Sequence, residues 1–194
     1  MQAGLDRGEP VTLDAKSTLA DGIAVRRTGT VTLPLVREYV DRLVTVEEEE
    51  IAAAILVLLE REKTLAEGAG AAGLAAVLHG KTGHRGKKIG VLISGGNLDV
   101  SLLSRIIERG LVRDGRRLRL RVTLADHPGA LERLASVIAA SNANIVETFH
   151  NRAHYGVGLS ETAIDVTMET RGREHVAELL RALETADYEF SLVE

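Results

Sequence analysis

Apolar and polar positions keep one rhythm up to about residue 115 and another beyond it. After Gly115, Leu118, Leu120, Val122 and Leu124 alternate with Arg119, Arg121 and Thr123, the pattern of a half-buried strand. Leu131, Leu134, Val137 and Ile138 then make a helical stripe over 130–140, and Asn142-Ala143-Asn144 breaks it. Ile145 to His150 reads as a strand, Gly156 and Gly158 as a hairpin loop, and Thr162, Ile164, Val166 and Met168 as another strand. Val176, Leu179, Leu180 and Leu183 stripe a second helix that opens at Arg171-Gly172. Tyr188, Phe190 and Leu192 alternate as a last strand. The predicted order is β-α-β-β-α-β, with both helices on one sheet face.

Before Gly115 the texture is that of an α/β layer. The first 20 or so residues carry little periodicity and read as irregular or partly strand. Helical spacing predicts a helix over 32–41, and Arg42 to Val46 is a short strand-like run. The acidic run Glu47 to Glu50 suits the positive end of a helix dipole. The helix that follows, Ile51 to Leu59, is apolar almost all round, so a second layer must cover it. A turn over 64–70 leads into a helix over 71–78 that Gly80 ends. A polar loop over 81–87 precedes Lys88 to Ser94, which reads as a buried parallel strand. A helix over 100–111 is expected to close at Gly110, and Asp114-Gly115 marks a turn. The boundaries predicted are 1–114 and 115–194. If the first stretch stands alone, the helix over 51–59 and the strand over 89–93 expose apolar patches and favour self-association.

Composition narrows the function classes. Net charge is −4 over 194 residues, with three Tyr, two Phe and no Trp. A phosphate-tracking surface and aromatic stacking platforms are both disfavoured, so no nucleic-acid partner is expected. The basic stretch Arg113 to Arg121 reads as a solvated strand face. There is no Cys, hence no disulfide, cysteine–zinc site or thiol chemistry. No secretory signal is visible and the longest apolar run falls well short of a membrane span, so a cytoplasmic protein with no membrane partner is expected.

Two segments carry chemistry. Leu92-Ile93-Ser94-Gly95-Gly96-Asn97 lies at the predicted strand's carboxyl end, where α/β sheets place ligands. Its glycines allow close backbone approach to a flat ring, and Ser94 offers a neutral hydroxyl. Ala66-Glu67-Gly68-Ala69-Gly70-Ala71-Ala72 opens a helix, where a carboxylate such as Glu67 is also an ordinary first-turn residue. Together with Thr18 to Val25 and Tyr39-Val40-Asp41, these segments resemble the second half of the catalytic domain of threonine ammonia-lyases and serine dehydratases. That resemblance covers nearly all of residues 1 to 112. It implies a partial fold type II domain using pyridoxal phosphate (PLP). It also implies that Ser94 contacts the pyridine nitrogen, that Glu67 lies near the ring, and that Gly22 and Gly95 line the pocket.

The second part resembles an ACT domain, the ferredoxin-like module that senses amino acids, through Thr123 to Leu131 and Asn142-Ala143-Asn144-Ile145. The resemblance implies that Asp126, His127, Gly129 and Asn144 meet an effector of the isoleucine or valine type, and that ACT domains pair into a homo-oligomer. Gly129 opens a helix whose free N–H groups can receive a carboxylate. Asp126-His127-Pro128-Gly129 is also ordinary turn chemistry. His150, Arg152 and His154 fall on one strand face, but the cation between the histidines opposes a metal, and no metal site is expected.

The family's Schiff-base lysine lies in a Ser-Phe-Lys-like segment, and none of Lys16, Lys63, Lys81, Lys87 and Lys88 does; the phosphate-cradling glycine loop is likewise absent. The expectation is a threonine ammonia-lyase (L-threonine to 2-oxobutanoate and ammonia) present as its C-terminal part. It is expected to be inactive alone, with a separate N-terminal half as partner. The alternative is a non-catalytic amino-acid-binding ACT module or partner subunit.

Overall fold

The computed structural model describes residues 1–14, 17–151, 158 and 160–193. The chain forms two compact units, Met1–Ile107 and Glu108–Glu194.

The second unit follows the predicted order. Strand β1 (Arg117–Ala125) leads to helix α6 (Ala130–Ala140), strands β2 (Asn144–Asn151) and β3 (Glu161–Glu169), helix α7 (Arg173–Thr185) and the short strand β4 (Glu189–Leu192). The sheet order is β2-β3-β1-β4, antiparallel throughout. Alternation in β1 sends Leu118, Leu120, Val122 and Leu124 into a core with Leu134, Ile138, Ile164, Val166, Met168, Leu179 and Leu183. Gly156, expected in the hairpin, lies outside the described residues.

The intervening arginines point the other way. Arg121 lies opposite Asp165 in the β1–β3 register and donates to it at 2.7 and 2.9 Å; Arg119 reaches the same carboxylate at 3.3 Å. Arg117 bridges Glu108 and Glu169. From Arg117 on the basic stretch is thus a strand face with its own counter-charges, whereas Arg113 ends a helix. Hydrogen bonding from the Arg121 guanidinium holds the Asp165 carboxyl below its usual value.

His175, only 4% exposed, ties the two helices together. Its Nδ1 accepts the Arg171 N–H at 3.0 Å, so Nε2 carries the proton and donates to the Ser141 carbonyl at 2.6 Å.

The first unit is helical: α1 (Gln2–Arg7), α2 (Thr32–Tyr39), α3 (Glu48–Val57) with a π turn over Leu58–Glu62, and α4 (Gly68–Leu78); α5 (Val100–Arg113) runs on into the second unit. Glu47 and Glu50 form a reciprocal capping box at the start of α3, and Glu50 also meets Lys81 of the loop after α4 at 3.1 Å. The Glu50 carboxyl is held below its usual value, chiefly by the Glu47 N–H and then by Lys81. Helices α3 and α4 pack through Ala54, Ile55, Ala71 and Ala75, so the apolar helix is covered within its own unit and adds no exposed patch.

Four expectations are corrected. A helix, not an irregular or strand segment, spans 2–7. Residues 42–46 form no strand. Lys88 to Ser94 is unpaired rather than a buried strand, with Ile89 39% and Leu92 87% exposed. A parallel strand needs neighbouring strands for its ladder, and the described residues of this unit offer only one isolated bridge, Thr12 to Arg27. Gly110 lies inside α5, which continues to Arg113 before the turn expected at Asp114-Gly115. Gly115 has φ +70, and a Cβ there would lie 2.8 Å from the Arg173 backbone nitrogen. No described helix is long and apolar enough to cross a membrane.

Asp165 stabilises the second unit while ionised, because its folded-state proton affinity is depressed. That contribution is present above the ordinary carboxylate range and is lost as pH falls through the lower folded value. Urea midpoints followed from neutral to acid pH should show Asp165→Asn flattening the acid limb of the wild-type profile. His175→Ala leaves the Arg171 N–H and the Ser141 carbonyl without partners and should cost about 1–3 kcal/mol in the same assay at neutral pH.

Candidate functional site

The first turn of α4 gathers three segments. Glu67 is its N-cap, in extended conformation, and the next residues include two buried glycines. A Cβ on Gly68 would lie 2.0 Å from the Leu19 carbonyl oxygen, and one on Gly70 would lie 1.7 Å from that of Ser94. Both contacts are backbone to backbone, closer than any side chain permits. The Glu67 N–H also donates to the Gly95 carbonyl at 3.2 Å.

The Glu67 carboxylate lies between the other two segments. Gly95, at φ +73, faces it so closely that a Cβ would be 2.4 Å from Cδ; the corresponding distance from Gly22 to Oε1 is 3.2 Å. Gly22, Glu67 and Gly95 therefore surround one half-buried carboxylate, and Ser94 adjoins them as an exposed residue. The four residues singled out in the first unit are brought together.

A further residue holds this arrangement and was missed as a site residue. Glu48 accepts from the Thr18 hydroxyl and, at 2.7 Å, from the Leu19 N–H. It thereby fixes the segment that carries Gly22. Four consecutive glutamates look alike in sequence, and nothing in the run separates Glu48, which clamps a distant loop, from Glu50, which caps its own helix. Beside this segment is a cavity of about 490 Å³ lined by Thr18, Ile23, Val44, Val46, Ile51 and Ala76 among others.

In the second unit, Asp126, His127 and Gly129 share one loop, and all three are exposed. The Asp126 N–H donates to the Ser160 carbonyl at 2.8 Å. His127 Nδ1 lies 2.9 Å from the Pro128 carbonyl and Nε2 lies 3.0 Å from Arg133 Nη2, contacts that assign the proton to Nδ1. Gly129, at φ +85, is the N-cap of α6. Asn144 is not with them. It pairs with Glu169, as Arg117 does, whereas the loop follows Ala125 at the far end of β1. Nine strand residues separate the two ends by about 26 Å. His150 bonds to Thr162 at 2.9 Å, and Arg152 and His154 lie outside the described residues. Among the described residues no group of three or more His, Cys, Asp or Glu is placed to hold a metal.

Residues 1–95 match the family model of pyridoxal-phosphate-dependent enzymes. Over 193 residues the chain is 47% identical to an L-threonine ammonia-lyase of Thermotoga maritima, covering 100% of this chain and 48% of that protein. The chain belongs to the threonine ammonia-lyase family. An L-threonine ammonia-lyase of Geobacter sulfurreducens is 47% identical over 184 residues, 95% of this chain and 46% of the relative. The solved threonine deaminase isoform 2 of Solanum lycopersicum is 31% identical, with a TM-score of 0.49 over 54% of this chain and 30% of its own. The chain spans about half the length of the curated relatives it matches.

Gly70→Ala should free the Ser94–Gly95 segment from α4, seen as faster amide exchange at Gly95 and Gly96 and a stability loss of about 1–3 kcal/mol. Gly73→Ala, whose new methyl would meet only the Val91 side chain at 3.2 Å, should leave that exchange unchanged.

Proposed function

We propose that this chain is the C-terminal part of a PLP-dependent threonine ammonia-lyase, supplying the pyridine end of the cofactor site and an amino-acid-sensing ACT module. The observation that carries the first half is the convergence of Ser94, Gly95, Glu67 and Gly22 on the start of α4. These residues fit the ring side of the cofactor. Gly22 and Gly95 let their backbones close on the Glu67 carboxylate, where side chains would intrude, and Ser94 presents an exposed hydroxyl beside them.

Bound PLP supplies the electron sink that acidifies the substrate's α-proton and eases loss of the β-hydroxyl. The protein's part here is to set the polarity around the ring. A serine hydroxyl at the pyridine nitrogen does not keep that nitrogen protonated as a carboxylate would, so charge delocalisation is limited and prompt elimination is favoured over side reactions. Glu67 would place a fixed carboxylate close by, and Glu48 would hold the Gly22 backbone against it. The lysine and the phosphate-binding loop that the family uses are not among these 194 residues. The reading therefore includes a polypeptide carrying them, in keeping with relatives about twice as long.

For the second half, the support is the βαββαβ order and the β2-β3-β1-β4 sheet, with Asp126, His127 and the α6 N-terminus in one exposed loop. An effector of the isoleucine or valine type would place its carboxylate at that terminus. ACT pairing would bring Asn144 of a second copy to it.

The chain alone, given PLP and L-threonine, is expected to release no 2-oxobutanoate. Combined with a polypeptide bearing the family's lysine segment and phosphate loop, it should do so, and Ser94→Asp should lower turnover and alter the cofactor's visible absorbance. Turnover by the chain alone would overturn the proposal. In calorimetry, isoleucine or valine should bind the full chain, and His127→Ala should weaken that binding about tenfold.

A further inference from the structure

We infer that the second unit carries an anion-selective pocket for small aliphatic carboxylates that lack an α-ammonium group, 2-oxo acids being the class that fits. The pocket lies at the end of the sheet where β1 begins, about 26 Å along β1 from the Asp126–Gly129 loop.

Its volume is about 250 Å³, the size of a molecule with few heavy atoms. The floor is apolar, made by Leu118 of β1, Val176 of α7, Leu192 at the end of the edge strand β4 and Val193 just after it. The rim is cationic. Arg113, Arg117, Arg119 and Arg173 line it, and no acidic or hydroxyl-bearing side chain does.

Two of these guanidinium groups retain donors. Arg117 is committed to Glu108 and Glu169, and Arg119 to Asp165. Arg113 uses Nε on Asp114, and Arg173 uses Nη2 on the Arg113 carbonyl. Among the described residues, Nη1 and Nη2 of Arg113 and Nε and Nη1 of Arg173 have no protein partner. The Arg117 Nε is buried and also without one. Arg173 is held in place by Gly115, whose missing side chain lets the Arg173 backbone and Cγ come within about 3 Å of where a Cβ would stand. Spare donors on two guanidinium groups that line one apolar pocket match a carboxylate with a short hydrocarbon tail.

The same lining rejects amino acids. An α-ammonium brought in with the carboxylate would meet arginines and no side-chain acceptor, a like-charge contact in a partly desolvated space. A 2-oxo group adds only acceptors, which the spare N–H donors can satisfy. The preference for acids over amino acids follows from this lining alone. The choice of 2-oxobutanoate as a probe rests on the proposed lyase reading.

The test is titration of the full chain with butanoate, 2-oxobutanoate and 2-aminobutanoate, read by amide NMR shifts. Butanoate and 2-oxobutanoate should give saturable shifts at Gly115, Arg173, Val176 and Leu192, and 2-aminobutanoate should give none there. Arg113→Gln with Arg173→Gln should weaken 2-oxobutanoate binding about tenfold or more. Val176→Phe, which fills the floor without touching a charge, should block both acids. Absence of saturable shifts at millimolar acid, or equal affinity for 2-aminobutanoate, would overturn the inference. Binding of butanoate without 2-oxobutanoate would overturn the 2-oxo preference. None of these outcomes depends on lyase turnover.

Discussion

Everything in the candidate cofactor site depends on how closely two strands of backbone approach the first turn of one helix. Gly68 and Gly70 remove the only atoms that would keep Leu19 and Ser94 away from α4. Once those carbonyls are seated, the neighbouring residues have little freedom. Gly22 and Gly95 fall on either side of the Glu67 carboxylate, and Ser94 is left at the edge of the cluster. The contact works in both directions. The helix start orders two loops, and the loops bury a turn whose glycines would otherwise weaken the helix.

Much of this was legible in the sequence where local rules govern. The alternation from Leu118 to Leu124 and the stripes over 130–140 and 176–183 give the second unit almost residue for residue, because a sheet with one covered face sorts its side chains with period two. Gly22, Glu67, Ser94 and Gly95 each lie in a short motif, and the resemblance of those separate motifs to the threonine ammonia-lyases is what groups them. What was not legible depends on partners far along the chain. Lys88 to Ser94 has the composition of a buried strand, but a strand is defined by its neighbours, and composition does not supply them. Glu48 looks like its three acidic neighbours until its carboxylate is seen on Thr18 and Leu19. Gly110 resembles a helix end by type, yet α5 runs through it as far as Arg113, up to the turn that Asp114-Gly115 does signal.

The second unit manages its charge by the same geometry that builds its sheet. Each strand face repeats every second residue, so Arg117, Arg119 and Arg121 form a ladder opposite Asp165 and Glu169. The ladder neutralises itself over most of its length. Near Arg113 and Arg173, where β1 has not yet begun and β4 has ended, guanidinium donors remain beyond the single Arg113–Asp114 pair, and apolar side chains of the sheet line the pocket beside them.

The separation of Asn144 from the Asp126 loop has a further meaning. No small molecule can span the length of a nine-residue strand, so a ligand gripped by both ends must be shared between two copies of the chain. A two-fold axis always generates such clefts in pairs. Occupancy would then be tied to protein concentration as well as to ligand concentration: dilution would weaken apparent affinity even with every side chain intact, and a substitution in one copy of a pair would damage one cleft and leave the other whole.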